Sequence, residues 1–417
     1  MRSLGVVLGF GIDFALSRDG LVRQFVTAGL RNPVDRTRLT TPWRRPLTNR
    51  ASRRRHPACS KPARTKSDGR AAMSKKIVLC FDGTWNRPAD AAAPIPVESN
   101  VCRFHESISA FTPGGTRQDR WYDQGVGTHW YDKAIGGITG AGLEKNILDG
   151  YHYLAQTYED GDEVFLLGFS RGAYTARSLV GMIRNCGLIK AQFLSPVSIG
   201  TAYGIYRTRD DGVDSKTARL FRNSVARPIR IRFVGVWDTV GALGIPGDLL
   251  KHANASFHEF HDTNLSDIVE YGFHAVAIDE NRRDYDACMW NPEVLAAGQV
   301  IEQRWFVGAH RNVGGGTDDR GLSDITLRWM QTKAAAAGLA IDPARMPGDG
   351  ADAWRSAAED SYASFLEGVY AKLYPRYFRA MGRTPYGNET VDQSVKVRFA
   401  GMSGYRPANE GFARFLV

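Results

Sequence analysis

Glu163-Val164-Phe165-Leu166-Leu167-Gly168-Phe169-Ser170-Arg171-Gly172-Ala173-Tyr174 is the stretch whose reading decides the fold. Its opening is apolar without alternation, as a parallel strand buried on both faces must be. Gly168 to Gly172 then matches G-x-S-x-G, and Ala173 to Arg184 reads as a helix. A strand, a sharp turn with serine at its apex and a helix are the setting of a nucleophile elbow. The flanking glycines allow close backbone approach, and the helix N-terminus favours negative charge developing nearby. In a chain with 44 glycines the five-residue pattern alone is weak. Its place between strand and helix gives it weight, and makes Ser170 the candidate nucleophile.

On either side of this stretch, strand and helix patterns alternate. Ile77 to Phe81 is a buried-strand run ended by Asp82-Gly83, and Gly142 to Tyr158 is an amphipathic helix. Ile229 to Trp237 and Gln303 to Val307 read as further strands. Leu265 to Glu280 reads as a helix, and so does Ser323 to Ala337, with Ser323 as its N-cap. Residues 188–228 and 243–262 break the alternation and read as insertions over a cleft. Near the C-terminus the pattern predicts an aromatic helix, Tyr362 to Phe378, and an edge strand, Val395 to Phe399. Strands alternating with helices imply an α/β fold, α/β-hydrolase-like, with a mainly parallel sheet and helices on both faces. Residues 73–417 read as one such domain, elaborated from about 340.

A serine hydroxyl attacks only when a base takes its proton. In this fold the acid and base follow the serine in the order Asp/Glu, then His. Asp238 stands just past the strand ending at Trp237, and His310 just past the one ending at Val307. Ligands bind open α/β sheets outside the carboxyl ends of the strands, where all three residues fall. Asp248, Asp262, Asp279 and Asp318 compete for the acid's place, but none ends a strand so cleanly. The remaining histidines lie in the leader, in predicted helices or in insertions.

The net charge of +10 is unevenly placed. Fourteen Arg and two Lys against four Asp give residues 1–72 a charge of +12, leaving −2 for the rest. That leader is Arg-rich and aperiodic, the composition of a disordered segment, and Met73 ahead of a strand suggests that it is not native. The near-neutral body has no field that would draw nucleic acid. Five scattered cysteines form no C-x-x-C pair, so no zinc site is indicated. No cofactor is expected, and no apolar run has the length of a membrane span.

Several segments, taken in order, resemble a bacterial and fungal α/β-hydrolase family that includes the catalytic domain of type VI secretion phospholipase effectors. They are Leu79 to Asn86, Asp123 to Thr128, Gly168 to Arg177, Val236 to Gly241, His274-Ala275 through Asp279-Glu280, Gly308 to His310 with Val313 to Gly316, and Leu322 to Asp324. The resemblance implies Ser170 as nucleophile, Asp238 as orienting acid and His310 as base. It further implies an oxyanion hole made by backbone amides of Gly83-Thr84 and of Arg171; Asp82 reads as positioning that first turn or as structural. Asn312 stands where the family has an aspartate, and Thr317 where an aromatic is usual, so a carboxylate near the base is missing.

A serine esterase acting on a small-molecule or lipid ester is therefore expected, extending to phospholipase activity. A cytoplasmic protein, exported as an effector and touching membranes peripherally, fits that reading. The alternative is a degenerate hydrolase serving as a binding module. A phosphatase built on Phe81-Asp82-Gly83-Thr84 would need an aspartate where Cys80 stands. Phe257, Phe260, Tyr362, Phe365, Tyr370, Tyr374 and Tyr377 are candidates for an acyl pocket or for ordinary core.

Overall fold

A computed structural model describes residues 74–83, 98–124, 141–208, 215–241, 264–292 and 295–416. Its strands are β1 (Lys76–Phe81), β2 (Gln118–Asp123), β3 (Glu163–Phe169), β4 (Leu188–Ile189), β5 (Ala226–Arg227), β6 (Ile231–Trp237), β7 (Val269–Ala277), β8 (Val300–Phe306) and β9 (Glu389–Val391). Seven of them form one sheet in the order β2-β1-β3-β6-β7-β8-β9, every neighbouring pair parallel. The chain steps outward from β1 to β2, then returns to β3 and continues in the other direction. The order therefore reverses between β1 and β3, the topological switch point where α/β sheets bind ligands.

The apolar strand runs lack alternation because both faces are covered. Ile77, Leu79 and Phe81 of β1, with Val164 and Leu166 of β3, pack against the helices Ala141–Thr157 and Arg171–Cys186. The alternate residues, Val78, Cys80, Phe165 and Leu167, pack against the helices Asn100–Ser107 and Gly321–Ala336. A third cluster joins Val276, Ile278, Trp305 and Val307 to Met381, Val395 and Phe412 of the C-terminal segment.

Four local expectations are corrected. Residues predicted as the helix Leu265 to Glu280 form β7, a central strand whose run Phe273 to Ala277 is buried on both faces. Val395 to Phe399 lies in the helix Gln393–Gly401, because Asp392 caps it by accepting from the Ser394 amide (2.9 Å) and Val395 and Arg398 bury together, three residues apart. The aromatic segment forms only short turns, interrupted where Leu366, Glu367 and Gly368 take positive φ. Ser323 is not an N-cap but lies inside a helix that starts at Gly321. The insertion at 188–228 holds β4, β5 and the helices Pro196–Arg207 and Lys216–Val225. The basic leader and the insertion at 243–262 lie outside the described residues.

Candidate active site

Ser170 follows β3 directly and adopts φ 57°, ψ −122°, a region costly for a residue with a Cβ. Its amide donates to the Trp237 carbonyl on the adjacent strand (3.0 Å), which holds the turn in place. Both motif glycines answer to crowding. A Cβ on Gly168 would lie 2.5 Å from the Gly172 carbonyl oxygen, and one on Gly172 would lie 2.1 Å from the Phe81 carbonyl oxygen. With side chains at either position, the helix Arg171–Cys186 could not start hard against the end of β1.

At that end of β1, the buried Asp82 carboxylate accepts from Ser99 Oγ (2.5 Å) and the Tyr122 hydroxyl (2.5 Å). It also accepts from the Gly83 amide (2.6 Å). The Gly83 N–H, expected to face an oxyanion, donates in this structure to the neighbouring carboxylate. Thr84 lies outside the described residues. Arg171 begins a helix, so its amide belongs to the first turn, which lacks intrahelical acceptors.

Asp238 follows β6 at φ 39°, with its amide donating to the Ala275 carbonyl (2.7 Å). His310 opens the short helical turn His310–Gly314 just beyond β8. The structure brings these residues to Ser170. His310 Nε2 lies 2.9 Å from Ser170 Oγ, and Nδ1 lies 2.6 Å from Asp238 Oδ2. Asp238 is fully buried, and its Oδ1 also accepts from the Ala277 amide (2.9 Å). Burial alone would raise its carboxyl pKa, but Arg379 and His310 hold it well below the usual carboxylate range.

Arg379 was not legible in the sequence. Its buried guanidinium contacts both Asp238 oxygens, Nη1 to Oδ1 at 2.6 Å and Nη2 to Oδ2 at 3.0 Å. Nothing in Tyr377-Phe378-Arg379-Ala380 marks it, and its partner is 141 positions away. A second buried pair supports His310. Arg282 Nε and Nη2 each donate to Glu280 at 2.8 Å, and Glu280 Oε2 accepts from the His310 amide (3.2 Å). The rings of Phe169 and Tyr285 pack against the imidazole, with centroids at 4.7 and 5.4 Å.

Asn312 Oδ1 accepts from the amides of Ala309 (3.0 Å) and Glu359 (2.9 Å). Its oxygen thus shapes the backbone that carries His310, a task an amide performs as well as a carboxylate. Of the competing acids, Asp318 is exposed, and Asp248 and Asp262 lie outside the described residues. Asp279 is engaged elsewhere, accepting from the Gly308 amide (2.7 Å) and the Tyr405 hydroxyl (3.1 Å). His274, on β7 and not in a helix, accepts the Thr239 amide at Nε2 (3.0 Å), and burial, with Arg177, lowers its pKa to about 3. It stays neutral beneath the Asp238 turn. Among the described residues, Glu98, Cys102 and Glu106 place ligand atoms within 4.8 Å of one another. Burial pushes the Cys102 thiol up to about 11.

Fold and strand-end placement define the class: this is an α/β-hydrolase-like protein. The chain matches the family described as T6SS, Phospholipase effector Tle1-like, catalytic domain, over residues 75–333, and it belongs to that family. It is similar to the uncharacterized protein YEL023C of Saccharomyces cerevisiae, 27% identical over 246 residues, covering 53% of this chain and 33% of that protein. The chain thus spans about a third of that curated relative's length. Among solved structures it resembles an uncharacterized protein from Pseudomonas aeruginosa, with 20% identity, 73% and 57% of the two chains covered, and a TM-score of 0.42. It also resembles the Tle1 effector bound to the VgrG spike of the type 6 secretion system, with 16% identity, coverage of 58% and 51%, and a TM-score of 0.34. No helix among the described residues is long and apolar enough to cross a membrane.

Proposed function

We propose that the body of the chain, from residue 73, is a serine hydrolase that cleaves the carboxylic esters of phospholipids through an acyl-enzyme. The observation that carries this is the continuous path Ser170 Oγ, His310 Nε2, His310 Nδ1, Asp238 Oδ2, with gaps of 2.9 and 2.6 Å. His310 takes the proton from Ser170 as Oγ attacks the ester carbonyl, and Asp238 holds the imidazole in the Nδ1–H tautomer. The amides of Arg171 and Thr84 stabilise the tetrahedral oxyanion. The leaving alcohol receives the proton from His310. Water, deprotonated by the same nitrogen, then releases the fatty acid from Ser170.

Two features favour a lipid with a phosphate. The side chain of Arg171, next to the nucleophile and half-buried, has no hydrogen-bond or ion-pair partner among the described residues, and burial lowers its pKa. A desolvated guanidinium without an acceptor suits a phosphate close to the scissile ester. The second is the segment around Phe365, whose ring packs on Tyr285 and so walls the site. It leaves Leu366, Val369 and Leu373 exposed at 56%, 46% and 68%, an apolar face suited to peripheral contact with a bilayer. Export as an effector, as the family description implies, belongs to the same proposal.

One experiment tests the whole reading. The protein should take a fluorophosphonate label that Ser170→Ala abolishes, with hydrolysis falling on the order of 10⁴–10⁶-fold. Arg171→Ala should slow cleavage of phosphatidylglycerol vesicles at least about tenfold while sparing p-nitrophenyl butyrate. Absence of labelling would leave a degenerate hydrolase that binds without turnover. Equal loss on both substrates would remove the phosphate from the reading.

A further inference from the structure

The base's aspartate is not served by His310 alone. Arg379 is held in register by two asparagines. Asn409 Nδ2 donates to the carbonyls of Arg379 (2.9 Å) and Ile278 (3.1 Å), while Asn281 exchanges backbone and side-chain hydrogen bonds with Tyr377 (2.9 and 2.8 Å). From this anchored backbone the guanidinium reaches both Asp238 oxygens and also donates to the carbonyls of Ala277 (2.8 Å) and Tyr285. Position 379 lies beyond the family-matched residues 75–333, so the C-terminal segment reaches into the centre of the site.

We infer that Arg379 is a positioning residue of the hydrolytic site: it fixes the Asp238 carboxylate in two directions and shares its charge, keeping His310 available as a base toward acid pH. The inference rests on the serine-hydrolase reading above. An aspartate facing only an imidazole would give the imidazolium its full negative charge. One already paired with a guanidinium gives less. The other charged and titratable groups nearby do not supply this compensation. Glu280 is itself paired with Arg282, and His274 is held neutral. Burial raises the pKa of Tyr285 and Cys288, so both stay uncharged at neutral pH. Arg171 and Arg177 add positive charge, Arg171 near Tyr285 and Arg177 near Cys288 and His274. Arg379 is the cation in direct contact with Asp238.

The test is the rate of Ser170 labelling by a fluorophosphonate as a function of pH, in the wild type, Arg379→Gln and Arg379→Lys, each checked for folding by near-UV circular dichroism. Arg379→Gln should move the acidic limb to higher pH by about one unit or more and slow labelling at pH 6 at least about tenfold. Arg379→Lys keeps the charge but loses the fork, so the limb should stay while the plateau rate falls several-fold. A folded Arg379→Gln with an unmoved limb overturns the inference, as does an equal shift in both variants. If Arg379→Gln does not fold, Arg379→Lys decides. A slowed plateau with the limb in place supports the inference, and a rate within about threefold of wild type overturns it. A wild-type protein that takes no label would instead defeat the proposed function itself.

Discussion

The site is built from two regions of unlike construction. The sheet contributes Ser170, Asp238 and His310 from the ends of β3, β6 and β8; the amides of the first two are held by neighbouring strands and that of His310 by the Glu280 carboxylate. The segment from about residue 359 onward has little regular structure, yet it sends Arg379 to Asp238, Tyr405 to Asp279, Ser361 to Glu280 and the Glu359 amide to Asn312. The proposed reacting groups sit on the rigid part. Several of the groups that hold them in place come from a strap laid across it. In such a division, damage to the sheet side should destroy the protein, while damage to the strap should retune it.

The largest effect is expected at Gly172. Gly172→Ala places a methyl group 2.1 Å from the Phe81 carbonyl oxygen, a backbone atom that cannot move aside cheaply. The cost should be about 4 kcal/mol or more, read by urea denaturation, with labelling of Ser170 lost. A variant that folds and labels normally would show the sheet side to be no more rigid than the strap.

A graded effect is expected at Asp279. Burial raises its pKa to about 6, against the pull of the Gly308 amide and Tyr405. Because the folded value lies above the ordinary carboxylate value near 3.9, the fold prefers the protonated acid. The resulting stability is complete below about pH 4 and is lost as pH rises through about 6. Asp279→Asn retains an oxygen for the Gly308 amide without the charge. It should match wild type near pH 4 and exceed it by on the order of 2–3 kcal/mol at pH 8. A difference that stays constant across this range would separate Asp279 from the strap's control of the His310 turn.

The smallest effect is expected at Asn312. Asn312→Asp keeps the oxygen that accepts from Ala309 and Glu359, so stability and labelling rate should change by less than about threefold near pH 7. Asn312→Ala removes the acceptor and should cost about 1 kcal/mol. If Asn312→Asp instead sped labelling at least about tenfold, charge rather than backbone support would be what that position supplies.

What the sequence made legible follows the same division. Ser170, Asp238 and His310 could be read as strand-end residues because an apolar run followed by a polar residue marks such an end, and the sheet places these ends together. β7 misled because only its long-range partners define it: β6 and β8 take up its two edges, and its Phe273, Ala275 and Ala277 face packs in a cluster with Trp329 and Met330. Val395-Lys396-Val397-Arg398-Phe399 alternates like an edge strand, yet the Asp392 cap and local burial make it helical. Arg379 and Tyr405 carry no local mark, since each acquires its role only through a partner more than a hundred positions away. Gly83 could be placed correctly, but only the structure shows that Asp82 already takes its amide.

The Ser170 amide donates to the carbonyl that ends β6, and the Asp238 amide to Ala275 in β7. The two residues are therefore rungs of the sheet's own ladder rather than tips of loops. Their amides can meet solvent only when the sheet itself opens, so they should exchange with deuterium at the rate of global unfolding. Thermal inactivation would then coincide with the melting of the domain instead of preceding it. The spacing between Ser170 and Asp238 is a constant of the parallel sheet, kept for as long as the sheet exists.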